Sequence, residues 1–290
     1  MAAPQSPIGS RRRLGAELRR LRGKAGLTLD EVADMMTCST SKISRLETGK
    51  GIPKMPDIRE LIRIYGVTSD TEQDMLLRLV RDGRQPGWWE PLTEGVHPER
   101  FVLDNPGRYA ALENDAAVIH SFDVTLVFGL LQTADYARTV LSTLLPHHSP
   151  QEIDRLVELR VTRQDALRRT SPPPLELVAV LDEAVLLRKV GGRAVWKAQL
   201  EYIIEMSELP TVSVRVLPFE LGLLRAHYGH FVLLKIPDEL GSDVVYVEGH
   251  AGETYLDAQS EVDRYKDVFA DVLQHALSPR ESRETIARCL

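Results

Sequence analysis

The sequence predicts a multidomain chain: an all-α N-terminal domain of five helices, then an α+β domain with a small, mostly antiparallel sheet. Three observations predict it. At 290 residues the chain exceeds what one small helical domain needs, and two domains is the natural division. Up to about residue 81, apolar residues recur at helical spacing, punctuated by capping residues and glycines. Beyond residue 175, four short runs rich in Val, Leu and aromatics (LELVAVL, TVSVRVLPF, HFVLLKI and DVVYVEG) carry strand signals between helical stretches. The expected boundaries are 1–84 for the helical domain, 85–105 for a linking and packing segment, and 106–290 for the α+β domain.

The segment Leu27 to Gly49, LTLDEVADMMTCSTSKISRLETG, reads as two short helices around a tight polar turn. Leu29, Val32, Ala33 and Met36 form the inner face of the first, and Thr28 with Glu31 makes a capping box. Ser39 caps the second helix and Gly49 stands where it should stop. Ile43 and Leu46 give this second helix its inner face, leaving Thr40, Ser41, Lys42, Ser44 and Arg45 outside. Such a helix can enter a DNA major groove N-terminus first, with short hydroxyls near bases and cations near phosphate. An ordinary helical hairpin with a solvated polar face would show the same pattern.

From Arg13 to Tyr65 the chain resembles the DNA-binding domain of the lambda-repressor-like (Cro/CI, Xre) regulators, through LGAELRRLRGKAGLT, LDEVADMM, STSKISRLETGK and MPDIRELIRIYGV in order. The resemblance implies that Thr40, Ser41 and Arg45 read bases and that Thr28 and Thr48 contact phosphate. It also implies that Arg22 and Glu47 pair internally, tying the first helix to the recognition helix. Lys42, Lys50 and Lys54 suit phosphate better than bases, because an ammonium is a mobile point charge. Double-stranded DNA is therefore the expected partner. One recognition helix reads few base pairs, so a homodimer on a two-fold operator is expected.

Charge follows the same division. Residues 1–84 hold sixteen Lys+Arg against eleven Asp+Glu, a net of +5, while the whole chain is −6, which leaves −11 for residues 85–290. A basic head on an acidic body suits a protein that touches DNA at one end. The Arg11-Arg12-Arg13 run reads either as an arm toward phosphate or as a solvated helix start. No apolar run approaches membrane-spanning length and no signal peptide opens the chain, so a cytoplasmic protein is expected. Cys38 and Cys289 are too far apart in sequence to suggest a disulfide framework or a zinc site, and Cys38 reads as a packing residue.

DGRQPGWWEPLTEGVHP concentrates Gly, Pro and polar residues after a fifth helix over about 71–81, although adjacent Trp88 and Trp89 argue for packing rather than a free tether. In the second half, helices are expected over 109–120, 133–145 (capped by Thr133), 149–170, 193–207 and about 257–275. FGLLQTADYAR, ELRVTRQ, VLDEAVLLRKVGG, VSVRVLPF and VVYVEG resemble a large actinobacterial group. In that group an Xre-type domain precedes an effector-like domain of poorly defined function. The resemblance implies an antitoxin-like regulator with a small partner protein encoded nearby, and the residues of this half leave a small-molecule effector open beside it. Phe128 stands where the group usually has Pro, a change expected to relax that turn.

The candidate ligand- or partner-binding residues are Gln132, Arg160, Arg163, Gln164, Glu183 and Glu248, with Thr133 and Asp182 beside them. Arg160 and Arg163, three apart, share a helix face and can present a cationic patch to an acidic ligand. The bland alternative is that Asp182, Glu183 or Glu248 neutralises them. Asp182 and Glu183 are adjacent, and on a helix would diverge by about 100°. His147-His148 and His227/His230 lack helical ligand spacing, and no phosphate loop, nucleophile elbow or dinucleotide fingerprint occurs. The expectation is a regulator with no cofactor, no metal and no enzymatic activity. The alternative left open by the residues is an Arg163–Glu248 nucleotide-transferring site.

Overall fold

The computed structural model describes residues 7–96, 106–250 and 252–290. The first six residues of the expected helical domain and residues 97–105 of the expected linking segment lie outside these. The chain divides into two compact units between Trp88 and Trp89, with Ile236–Ser242 grouped with the first.

The first unit holds α1 (Pro7–Lys24), α2 (Leu29–Met35), α3 (Thr40–Glu47), α4 (Met55–Ile64) and α5 (Asp70–Asp82). Leu14, Leu18 and Leu21 of α1 bury against Val32, Ile43, Ile58, Leu61, Leu76 and Val80, so each helix contributes its apolar stripe to one core. Cys38 packs against this core. Because α1 begins at Pro7, the Arg11–Arg13 run lies inside a helix, half-buried; it is neither an arm nor a helix start.

The second unit opens with α6 (Glu90–Thr93), α7 (Pro106–Asp115), β1 (Val118–Asp123), α8 (Ala134–Leu144), α9 (Pro150–Arg163) and β2 (Glu176–Asp182). It continues with α10 (Glu183–Leu187), α11 (Gly192–Met206), β3 (Val212–Leu217), β4 (Phe231–Lys235), β5 (Val244–Gly249), β6 (Gly252–Leu256), α12 (Gln259–His275) and α13 (Pro279–Ala287). Among the described residues the strands form one six-stranded sheet in the order β3-β2-β1-β4-β5-β6. The pairs β1–β2 and β2–β3 are parallel, and the other three are antiparallel.

The small, mostly antiparallel sheet expected from the sequence is thus replaced by a larger, mixed one. The cause is a misread segment. The helix expected over 109–120 stops at Asp115, and Val118–Asp123 becomes β1 at the sheet centre. With β1 in place, α8–α9 and α10–α11 become crossovers between parallel strands, which a hairpin cannot join. Strand β6 and helix α13 also escaped the sequence reading. Helix α13 has a structural use: Ser282 Oγ accepts from the Val216 amide at 2.9 Å, and Leu277 N donates to Val216 O at 2.9 Å, covering the open side of edge strand β3.

Side chains alternate across β1. Phe122 joins Phe231, Leu233, Val245, Val262 and Phe269 in the core beneath α12, and His120 stacks on Phe269 with ring centroids 4.3 Å apart. Asp123 points to the other face, as do Tyr246 and Glu248 by the same alternation on β5. Phe128 keeps φ at −55°, a value proline would also give, so the turn before Gly129–Leu131 is not relaxed.

Candidate functional site

Helix α3 is anchored by its neighbours rather than by its own length. Ser39 caps it through the Lys42 amide at 3.3 Å, and Thr28 and Glu31 close a capping box on α2. Arg22 Nε and Nη2 donate to Glu47 Oε1 and Oε2 at 2.7 and 3.0 Å, while Nη1 donates to Leu27 O at 2.9 Å. This fork ties α1 to the buried end of α3, as the sequence implied. A Cβ on Gly15 would lie 2.6 Å from the carbonyl oxygens of Leu46 and Glu47, so only glycine permits this approach of the two backbones. Gly49, at φ +69°, ends α3 in the left-handed region.

The predicted DNA-facing residues fall into two groups. Ser41, Arg45, Lys50 and Lys54 are exposed on and just beyond α3. The others are already engaged. Thr40 Oγ1 donates to Asp30 at 2.8 Å, and Lys42 Nζ lies 2.8 Å from Asp57. Thr48 Oγ1 donates to Ser44 O at 2.8 Å, and Thr28 Oγ1 donates to Glu31 at 2.8 Å. To donate to a phosphate, the Thr48 hydroxyl must release its own helix.

In the second unit Gln132, Arg160 and Gln164 are joined by hydrogen bonds and Arg163 lies one turn from Arg160 on α9, while among the described residues neither Glu248 nor Glu183 forms an ion pair with either arginine. Arg163 Nε and Nη2 donate to Glu113 Oε1 and Oε2 at 2.6 and 2.7 Å. The neutralising acid is therefore Glu113 on α7, not Asp182, Glu183 or Glu248. The Arg163 guanidinium lies 4.8 Å from the Tyr109 ring centroid, and Tyr109 meets Tyr246 at 4.5 Å. Arg160 Nη1 donates to Gln132 Oε1 at 2.9 Å, and Gln132 Nε2 in turn donates to Val127 O at 2.6 Å. Gln164 Nε2 donates to Gln132 O at 2.6 Å and its Oε1 accepts from Tyr202 at 2.7 Å.

Burial governs the electrostatics here. It pulls the Arg160 guanidinium down, and the neighbouring charge of Arg163 adds to this while Glu248 opposes it. Burial acts the same way on Arg163, but the charge and hydrogen bonds of Glu113 outweigh it and leave that group raised. Asp123 is pushed up by burial to about 7 against the hydrogen bond from Ser121, 2.8 Å. Tyr109, Glu113, Asp123 and Tyr246 were not foreseen. Asp123 ends a strand whose first residues, 118–120, the sequence assigns to a helix, which hides the signal of an acid at a carboxyl-terminal strand end.

Residues 106–288, more than half of the chain, match the domain of unknown function DUF5753. The chain belongs to the DUF5753 family. Residues 13–76 match a helix-turn-helix domain. No curated protein and no solved structure matches the chain.

Elsewhere in the DUF5753 region, Asp182 ends β2 and caps α10 through the Ala184 amide at 2.8 Å, and His227 Nε2 lies 3.1 Å from its other oxygen. His227 Nδ1 accepts from the Leu224 amide at 2.8 Å. Glu183 accepts from the Phe219 amide at 2.8 Å and so holds this loop. The loop exposes Phe219, Leu221, Leu223 and Tyr228, the last two 87% and 101% exposed. Among the described residues there is no cluster of three metal-ligating side chains, and no helix is long and apolar enough to cross a membrane. Trp89 is buried and Trp88 is 39% exposed.

Proposed function

We propose that this protein is a sequence-specific DNA-binding transcription regulator of the lambda-repressor-like (Xre) kind. In this reading α3 enters the major groove, Ser41 and Arg45 read bases, and Lys50 and Lys54 hold phosphate. The DUF5753 region controls operator binding in response to a ligand, the protein acts as a cytoplasmic homodimer, and it catalyses no reaction. The observation that carries the reading is the pairing of an anchored α3 with an outer face whose Ser41 and Arg45 stand exposed. A helix meant only to pack would not need the Gly15 approach and the Arg22–Glu47 fork to fix its azimuth.

Genome-fragment selection with the full-length protein tests this. The expected product is a two-fold motif with half-sites about one DNA turn apart. Fragments bound no more tightly than random DNA would overturn it.

A second reading, an antitoxin-like module that captures a small partner protein, is favoured by the exposed Phe219, Leu221, Leu223 and Tyr228. It predicts that charged substitutions at Leu223 and Tyr228 leave operator binding intact while abolishing the complex with the partner.

A further inference from the structure

We infer that Arg160 anchors a small-molecule site in the DUF5753 region, taking a carboxylate whose own hydrogen-bond donor, an amino or hydroxyl group, meets Glu248. The inference rests on reading this region as a sensor and names the class of molecule sensed.

Three observations carry it. The two α9 arginines are chemically unlike. Both fork nitrogens of Arg163 used for Glu113 are committed, whereas Arg160 makes one hydrogen bond, to a neutral amide oxygen, and has no carboxylate within 4.0 Å among the described residues. Arg160 is itself half-buried, neither sealed in the core nor open on the surface. An accessible fork held inside a protein is suited to bidentate capture of a carboxylate.

The second observation is that the fork is aimed. Gln132 cannot turn its oxygen away from Arg160 without losing the bond from its amide nitrogen to Val127 O. Gln164 then fixes the Gln132 backbone, and Tyr202 fixes Gln164. This chain of neutral groups orients a cation without discharging it, as a preorganised binding site requires.

The third is the disposition of the acids. Strand β4 is antiparallel to both β1 and β5, so β1 and β5 run the same way. Asp123 and Glu248 therefore lie at the same sheet edge, on the face that carries Tyr246. Glu248 acts on Arg160 through its charge yet forms no ion pair with it. Arg163, one turn along α9, lies over Tyr109, which meets Tyr246 two residues before Glu248 on the same face, so Glu248 borders the arginines without pairing with Arg160. A molecule carrying a carboxylate and a donor completes both. A phosphate dianion would meet the repulsion of Glu248, which favours a singly charged carboxylate. Carboxyl-terminal strand edges are also where sheets of this type build ligand sites.

The test uses the full-length protein with L-lactate, L-alanine, acetate and inorganic phosphate as probes, following the Arg Nε–H resonances by NMR. Arg160 is expected to shift saturably with lactate or alanine, with Arg163, held by Glu113, unmoved. Arg160→Met should abolish the saturable response, and Arg160→Lys should weaken it by about tenfold or more through loss of the fork. Glu248→Gln should erase the preference over acetate. The wild-type resonance carries the test if a variant does not fold. An unmoved Arg160 resonance with every probe overturns the site, as does tighter binding of phosphate than of the carboxylates. Probe binding that leaves operator affinity unchanged upholds the site and overturns only the sensor reading.

Discussion

Each half of this protein contains an arginine locked to a glutamate and a second arginine left over, and the two halves place the leftover one differently. In the helix-turn-helix unit, Arg22 and Glu47 clamp α1 to α3, and Arg45 projects from the same α3 into water. In the DUF5753 region, Arg163 and Glu113 clamp α9 to α7, and Arg160 stays half-buried with one hydrogen bond. An arginine in water keeps its hydration until a dense polyanion displaces it, which suits DNA. An arginine held in the interior has already lost much of that hydration, so a single small anion gains far more by meeting it. In the proposed function the same residue type serves a large partner in one unit and a small one in the other, and burial makes the difference.

The largest effect should come from breaking the interior clamp. Arg163 and Glu113 side chains are 11% and 2% exposed, so Glu113→Ala leaves a buried guanidinium uncompensated. A loss of about 3–5 kcal/mol is expected in chemical denaturation. A loss below about 1 kcal/mol would show that water replaces the carboxylate and that the two clamps are alike. Glu47→Ala should cost less, about 1–3 kcal/mol, because Arg22 is more exposed at 18% and retains Leu27 O. If Glu47→Ala proves the costlier of the two, burial is not what separates the two halves.

How legible these halves were follows from where their information resides. The helix-turn-helix is readable nearly whole, because its caps, periodicity and Gly49 are local, as in Thr28 with Glu31 and Ser39 with Lys42, while the distant Arg22–Glu47 pair comes from the family resemblance alone. The sheet is not. Val118–Asp123 follows a true helix with only Ala116 and Ala117 between, and its strand character comes from pairing with β2 and β4, far off in sequence. Missing β1 hid Asp123 and turned a mixed sheet into an antiparallel one. Arg160, Arg163, Gln132 and Gln164 were picked out by residue type, but the acid that meets Arg163 could not be, since nothing in a sequence of this kind ranks Glu113 above Asp182 or Glu183. Glu183 was placed with the arginines for that reason, and instead it holds the Phe219 loop.

Arg45→Ala probes the surface member of the comparison. It should weaken operator binding by about 1–3 kcal/mol and relax base choice at one position, with folding stability unchanged within about 0.5 kcal/mol. Stability is the discriminating readout, because an exposed arginine with a merely structural role would move stability and not base preference. Equal weakening on every DNA sequence would instead reduce Arg45 to a phosphate contact.

The smallest effect, on the order of 1 kcal/mol per pH unit, concerns two titrating groups on opposite faces of one strand. Burial and the charge of Lys235 lower His120 to about 4, from 6.5. Between those values the unfolded chain holds a proton the folded one lacks, so His120 makes stability fall as pH falls from 6.5 toward 4. Asp123 is raised to about 7 from 3.8. Between those values the folded chain holds a proton the unfolded one has lost, so Asp123 makes stability fall as pH rises toward 7. Over roughly pH 4 to 6.5 the two slopes oppose each other. Asp123→Asn should expose the His120 slope, with stability rising with pH. His120→Phe, which keeps the stack on Phe269, should expose the Asp123 slope, with stability falling with pH. Subtracting one variant's urea-denaturation profile from the other's removes every group they share. A flat difference across that window would mean that neither side chain exchanges protons with folding, and that β1 is as open to solvent at His120 and Asp123 as the outer face of α3.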